Sequence, residues 1–214
     1  MPAVKPPANP EVFHITHVSN LPSILSMGRL LSHAAVVNGN IGPTKIGYDH
    51  IKARRRLRAV PVAAQGYLGD YVPFYFCPRS VMLFVIHKSN SASLGYTGGQ
   101  QPVVHLVSTV SALCASGRPW AFTERHAELI YAQYYDSLQG LGQLDWAAIS
   151  ATIWSTDDQA REKKQAEFLV HDWCPWSAIT RIGVFDDAVR LQVLSHLAES
   201  SSPPRVSVER RWYY

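Results

Sequence analysis

Alternation of apolar and polar positions begins at Val12. Residues 12–17 place Val12, His14 and Thr16 on one face and Phe13, Ile15 and His17 on the other, the period-two pattern of a strand. Ser19 or Asn20 can then cap a short helix, with Pro22 near its first turn, Leu21, Ile24 and Leu25 as its apolar stripe and Gly28 as its stop. Residues 29–32 read as extended, 33–47 (rich in Gly, Asn and Pro) as a loop, 50–56 as a helical turn and 61–69 again as a loop. An aromatic extended stretch covers 70–79. Further strands are predicted over 82–87, 103–108, 120–123, 166–170, 179–185 and 205–208, and helices over 128–138 and 188–197, with another element starting at 146–151. The Ser/Gly-rich stretch 88–101 and the charged stretch 155–164 are expected on the surface. Helices and strands are interspersed without regular βαβ alternation, which predicts an α+β fold rather than a doubly wound sheet. No Gly-x-Gly-x-x-Gly follows a strand, so a Rossmann-type dinucleotide site is excluded.

The chain has 214 residues, enough for one sizeable domain, and no composition shift divides it. We read residues 1–10 as a proline-rich disordered lead-in, not a signal peptide, and 11–214 as a single domain. No apolar run approaches the roughly 20 residues of a membrane helix. The three cysteines, Cys77, Cys114 and Cys174, are odd in number and widely spaced, which argues against a disulfide framework and a zinc site and fits a cytoplasmic protein. The nine histidines show no ligand spacing, so no metal is expected. A net charge of +4 is mild, but its distribution is informative. Lys45, Lys52, Arg54, Arg55, Arg56 and Arg58 lie close together, opposed there only by Asp49. On charge patterning alone, a solvated helix face and an anion-binding face weigh about equally.

Five segments in order resemble the DarT family of DNA ADP-ribosyltransferase toxins. They are Phe13-His-Ile-Thr-His17 with Asn20 to Leu25 and Gly28 to Leu31, then His50 to Arg56, Asp70 to Ser80, Phe122 to His126, and Lys163 to Val170; the ending Arg211 to Tyr214 matches as well. The resemblance covers nearly the whole chain after about residue 11. Two departures stand out: residues 87–96 are longer than in relatives, and Ala53 stands where an acidic residue is expected, beside Arg55. The family implies an ADP-ribosyltransferase-like split antiparallel sheet core with peripheral helices. It implies NAD+ as co-substrate, no permanently bound cofactor, single-stranded DNA as acceptor (usually at thymidine, in a related branch at guanosine) and a macrodomain antitoxin of the DarG type as partner.

Carried over by position, Glu167 is the catalytic carboxylate. Cleavage of the nicotinamide–ribose bond develops positive charge on the ribose, and a carboxylate stabilises it by accepting the 2′-hydroxyl. By patterning alone Glu167 is instead a surface strand glutamate paired with Lys163 or Lys164. The family match also makes Arg55 catalytic and gives its guanidinium fork to the NAD+ pyrophosphate. It places His14, Ile15 and Thr16 on the first NAD+-contacting strand, His17 being more simply a core residue, and Ser23 and Leu31 in the same pocket. For DNA, Arg54, Arg79 and Arg125 are candidate phosphate contacts, and Tyr48, His50, Tyr71, His126 and Trp154 candidate base or sugar contacts. Core packing is the competing reading for the 71–76 stretch. Two other functions compete with a DNA ADP-ribosyltransferase: an enzyme of the same fold acting on RNA, and a catalytically silent nucleic-acid-binding module. Intact Glu167, Arg55 and His14 speak against silence.

Overall fold

The computed structural model describes residues 5–88, 95–154 and 157–214. In chain order the elements are β1 (Glu11–His17), α1 (Leu21–Met27), β2 (Arg29–Leu31), α2 (His33–Asn38), α3 (Asp49–Arg55), β3 (Tyr71–Tyr75), α4 (Val81–Lys88), β4 (Val103–Thr109) and α5 (Val110–Ala115). They continue with β5 (Trp120–His126), β6 (Tyr134–Tyr135), α6 (Trp146–Ser150), α7 (Asp158–Lys163), β7 (Ala166–His171), β8 (Trp173–Pro175), β9 (Arg181–Val184), α8 (Asp187–His196) and β10 (Arg205–Val208). The fold is α+β. One sheet runs β10-β9-β4-β1-β3-β7-β5-β6, antiparallel throughout except for the β9–β10 pair, and β2 pairs with β8 in a small second sheet.

The sheet is well knit on either side of one seam. β1 pairs with β4 along its whole length, from Glu11 opposite Thr109 to His17 opposite Val103. β3 pairs with β7 from Tyr71 opposite His171 to Tyr75 opposite Glu167. Between the halves, β1 and β3 register at a single pair, Phe13 and Tyr75. The sheet therefore splits between β1 and β3, and a cleft opens there. Behind it the core is an apolar layer of Val12, Val72, Phe74, Phe122, Phe168 and Ile182 covered by α1, α5 and α8.

Several local expectations are corrected. Residues 82–87 belong to helix α4, not a strand; their near-continuous apolar run fits either state, and Ser80 decides it by accepting the Leu83 amide at 3.2 Å. Part of the expected loop 33–47 is helix α2, capped by Ser32, whose hydroxyl accepts the Ala35 amide. The helix expected over 128–138 is absent: Tyr134 and Tyr135 pair as β6 with Thr123 and Phe122. Within the charged stretch 155–164, Lys164 is buried; its Nζ donates to the carbonyls of Ile149 and Ala151, each at 2.8 Å. Residues 155–156 lie outside the described residues, as do 1–4 of the lead-in and 89–94 of the long 87–96 stretch. Of the lead-in, Asn9 and Pro10 are tied down, accepting the amides of Ser111 and Val110. Gly28 ends α1 in the left-handed region (φ 63°), where a side chain would be strained. Among the described residues no helix is long and apolar enough to cross a membrane.

The segment Arg210–Trp212 and the two tyrosines after it pack beneath β4 and β9. Tyr213 donates its hydroxyl to Val103 O at 2.8 Å, and the His105 ring meets the Tyr213 hydroxyl through Nδ1 and Pro78 O through Nε2. Burial lowers the His105 pKa from 6.5 to about 4. The unfolded chain therefore takes up this proton first as pH falls. The contribution is intact above pH 6.5 and is lost between pH 6.5 and about 4. It amounts to about 3 kcal/mol over that window. Urea unfolding at pH 7 and pH 4.5 should show that loss, and His105→Gln should flatten it; an equal acid slope in the variant assigns the loss elsewhere.

Candidate functional site

The cleft at the split has a volume of about 610 Å³, within the range of small-molecule sites. β1 supplies His14, Ile15 and Thr16; α1 supplies Ser23; β2 supplies Leu31; α3 supplies Lys52 and Arg55. Tyr75, His126 and Glu167 close it from β3, β5 and β7. The strand register explains the grouping, because Tyr75 lies opposite Glu167 across the β3–β7 ladder and His126 opposite Ala166 across the next.

Glu167 is 1% exposed and is not a surface residue. Neither lysine pairs with it: Lys163 holds Asp145 at 3.0 Å and Lys164 is spent on carbonyls. Its partner is Arg55. Arg55 Nη1 donates to Oε1 at 3.0 Å and lies 2.9 Å from Oε2, and the Ala127 amide adds a longer contact to Oε1 at 3.4 Å. This contact leaves two buried atoms without an aligned hydrogen bond among the described residues: Arg55 Nη2, and Glu167 Oε2, which meets Nη1 only as an ion pair. Buried polar atoms are nearly always paired, so a carboxylate oxygen and a guanidinium nitrogen left over side by side form a site for a ligand bringing one donor and one acceptor. Burial pulls the Arg55 pKa down, and Glu167 more than restores it, so the group stays protonated. Burial raises the Tyr75 hydroxyl beside the pair, and Glu167 raises it further.

His14 donates from Nδ1 to Pro73 O at 2.8 Å, bridging the split in the sheet. A carbonyl can only accept, so Nδ1 carries the hydrogen. Burial lowers the pKa of this ring, and its neutral form keeps an Nε2 lone pair. His17 is not a core residue; its Nδ1 accepts the Ser19 amide at the turn before α1. Asn20 does not cap α1 with its side chain. It bridges Thr16 Oγ1 and the backbone of Thr44, tying the 39–47 segment to the rim of the cleft.

One end of the cleft is positive. Lys45, Lys52 and Arg55 line it with His33, whose Nδ1 is buried without a partner. Burial and the surrounding cations Lys52, Arg56, Lys45 and Arg55 lower the His33 pKa. Among the described residues Lys52 has only Asp49 for a counter-charge, at 4.0 Å, and that carboxylate is exposed. Sequence reading passed over Tyr75, His33 and Lys52 as site residues; the basic run was the available signal for Lys52, whereas nothing in one sequence marks Tyr75 or His33.

The nucleic-acid candidates divide. Tyr48 and His126 line the cleft, and His50 stands beside Tyr48 with ring centroids 5.0 Å apart. Burial lowers the His126 pKa, partly offset by Glu167. Tyr71 borders the cleft but is 1% exposed, its hydroxyl bonded to Gln65 O, so it is core packing first. Arg54 pairs with Glu128, and Arg125 with Glu124 and Glu162. Arg79 and Trp154 lie away from the cleft: the Arg79 guanidinium stacks on Tyr214, and Trp154, 5% exposed, sends its indole N–H to the same Tyr214. Ala53 is exposed on α3, and Arg55 finds its acidic partner across the fold.

Comparison with known proteins agrees over the full chain. The family model described as "ssDNA thymidine ADP-ribosyltransferase, DarT" matches residues 13–214. The DNA ADP-ribosyl transferase of Thermus sp. (strain 2.9) is 45% identical over 208 residues, covering 95% of each chain. The structure of Thermus sp. 2.9 DarT in complex with ADP-ribosylated ssDNA superposes with a TM-score of 0.92 at 42% identity, covering 99% of this chain and 100% of that one. The same protein in complex with NAD+ gives a TM-score of 0.87 at 41% identity, covering 98% and 100%. With its sheet split at β1 and β3 and its buried arginine–glutamate pair in the resulting cleft, the chain belongs to the DarT family of DNA ADP-ribosyltransferases.

Proposed function

We propose that the protein binds NAD+ in the cleft and transfers its ADP-ribose to a thymidine base of single-stranded DNA, releasing nicotinamide. The observation that carries this reading is the buried Glu167–Arg55 pair with one acceptor and one donor unspent. The bond from the ribose C1′ to the nicotinamide nitrogen breaks, and its electron pair leaves with nicotinamide. Glu167 Oε2 accepts the hydrogen of the ribose 2′-hydroxyl and stabilises the charge left on the sugar. The base nitrogen gives up its proton to solvent water, and the electron pair so freed forms the new bond to C1′. Arg55 is protonated and cannot take that proton; its free Nη2 stabilises the deprotonated base electrostatically. His14 Nε2 is suited to accept a ribose hydroxyl, and the cations at the other end suit the pyrophosphate. The biological role is that of a toxin opposed by a macrodomain antitoxin that removes the modification.

The test is to incubate the protein and NAD+ with separate single-stranded DNA, duplex DNA and RNA, and to weigh the products. One ADP-ribose on single-stranded oligonucleotides containing thymidine is expected. Adducts on RNA alone, or on oligonucleotides whose sole reactive base is guanosine, overturn the acceptor. Unchanged NAD+ with DNA still bound overturns the enzyme.

Lys52→Met should raise the KM for NAD+ about tenfold or more, the worth of one charge-assisted contact, with kcat at saturating NAD+ preserved. An unchanged KM would remove Lys52 from the pyrophosphate end.

A further inference from the structure

Between Gly42 and Gly47 the chain runs along the rim of the cleft without helix or strand, and Pro43, Thr44, Lys45 and Ile46 line it. Upstream, the Ile41 amide closes on Val36 O at 3.0 Å; downstream, Ile46 packs against the apolar cluster around Leu83 and Ile86. Between those anchors Thr44 makes every hydrogen bond found among the described residues of this stretch. A single side chain takes both of its backbone groups: Asn20 Oδ1 accepts the Thr44 amide at 2.8 Å, and Asn20 Nδ2 donates to Thr44 O at 3.0 Å. The carboxamide thus stands in for a neighbouring strand, which requires an acceptor and a donor side by side. Asn20 Nδ2 also donates to Thr16 Oγ1 on β1 at 3.0 Å, and the Thr44 hydroxyl meets Ser19 Oγ at 2.8 Å. The next residue, Lys45, brings its charge to the positive end of the cleft, close enough to act on His33, and is held by no carboxylate among the described residues.

We propose that residues 42–47 form a strap over the pyrophosphate end of the cleft, and that Asn20 is the positioning residue that sets it, placing Lys45 on NAD+ by holding Thr44. The inference rests on NAD+ binding in the cleft, as proposed above. Thr44 is exposed and Asn20 only half-buried, so water competes for these hydrogen bonds and each holds weakly. A single latch point that opens locally releases the stretch without disturbing the sheet. The strap admits NAD+ when Thr44 is free and, once Thr44 is back on Asn20, keeps a cation over the phosphates. Because Asn20 also holds Thr16, the latch fixes the strap relative to β1, the strand that carries His14.

Calorimetry of NAD+ binding without DNA, steady-state kinetics and amide exchange, all on the full chain, test this. Asn20→Ala should weaken NAD+ binding about tenfold, the worth of two hydrogen bonds at this exposure, and raise the KM for NAD+ to match, with kcat at saturating NAD+ retained. Asn20→Asp has the same size but cannot donate to Thr44 O, so it should do no better than alanine. Lys45→Met should weaken binding as well, and adding Asn20→Ala to it should cost less than Asn20→Ala alone, because the strap then has no charge to place. The Thr44 amide should exchange faster in Asn20→Ala and should slow when NAD+ binds the unaltered chain. The strap is overturned by unchanged NAD+ affinity in Asn20→Ala, by full affinity in Asn20→Asp, by full additivity with Lys45→Met, or by a loss of kcat with the KM for NAD+ unchanged. If the unaltered chain binds no NAD+, the proposed function falls and takes the strap with it; a chain that binds NAD+ with Asn20 indifferent removes the strap alone.

Discussion

Glu167→Gln should lower the rate of ADP-ribose transfer by about 10²–10³-fold or more, the scale on which one preorganised electrostatic contact acts. Glutamine keeps the shape and loses the charge proposed to stabilise the ribose. It also leaves Arg55 as a buried, uncompensated cation, and breaking one side of a buried pair costs about 3–5 kcal/mol. The single variant should therefore be less stable as well as inactive, and the two effects separate in a double variant. Glu167→Gln combined with Arg55→Met removes both charges, so stability in urea should largely recover while transfer stays lost. Product mass and the unfolding midpoint are the two measurements. Transfer within tenfold of normal in the single variant would remove Glu167 from the chemistry.

Arg55→Lys is the second large effect, expected at about a hundredfold loss of transfer in a chain that still folds. Lysine retains a positive charge beside Glu167. It lacks the planar fork, so it cannot hold Glu167 with one nitrogen and present another to a substrate, the role proposed for Arg55, whose Nη1 is bonded and Nη2 free among the described residues. Initial rates on a single-stranded oligonucleotide decide it. Full activity would mean that the position supplies a positive charge and nothing more.

The strands were the most legible part of the fold. β1, β4, β7 and β10 follow from period-two alternation or short apolar runs bounded by turn residues. The departures have two causes: a local pattern settled by a distant partner, and a deciding residue lying just outside the patterned run. Residues 128–138 have helical spacing, yet Glu128 is drawn to Arg54 and Tyr134 and Tyr135 to β5. α4 was taken for a strand because a run apolar on every side carries no period, and the informative residue, Ser80, lay just outside it. For the site, residue chemistry alone favoured a solvated Glu167. The ordered resemblance marked it together with Arg55 and His14, and the structure gathers all three in the cleft. Tyr75 and His33 are visible only in three dimensions, since each becomes a cleft residue through a strand register or a packed loop.

The split between β1 and β3 has a consequence for how the molecule becomes active. His14 and Tyr75 line it from β1 and β3, Arg55 arrives from a helix between them in the chain, and Glu167 lies 112 residues beyond Arg55. No contiguous fragment shorter than residues 14–167 contains the working set, and loop closure over such separations is slow compared with forming any single helix or hairpin. A chain emerging from the ribosome thus cannot assemble the cleft until β7, which carries Glu167, has been made.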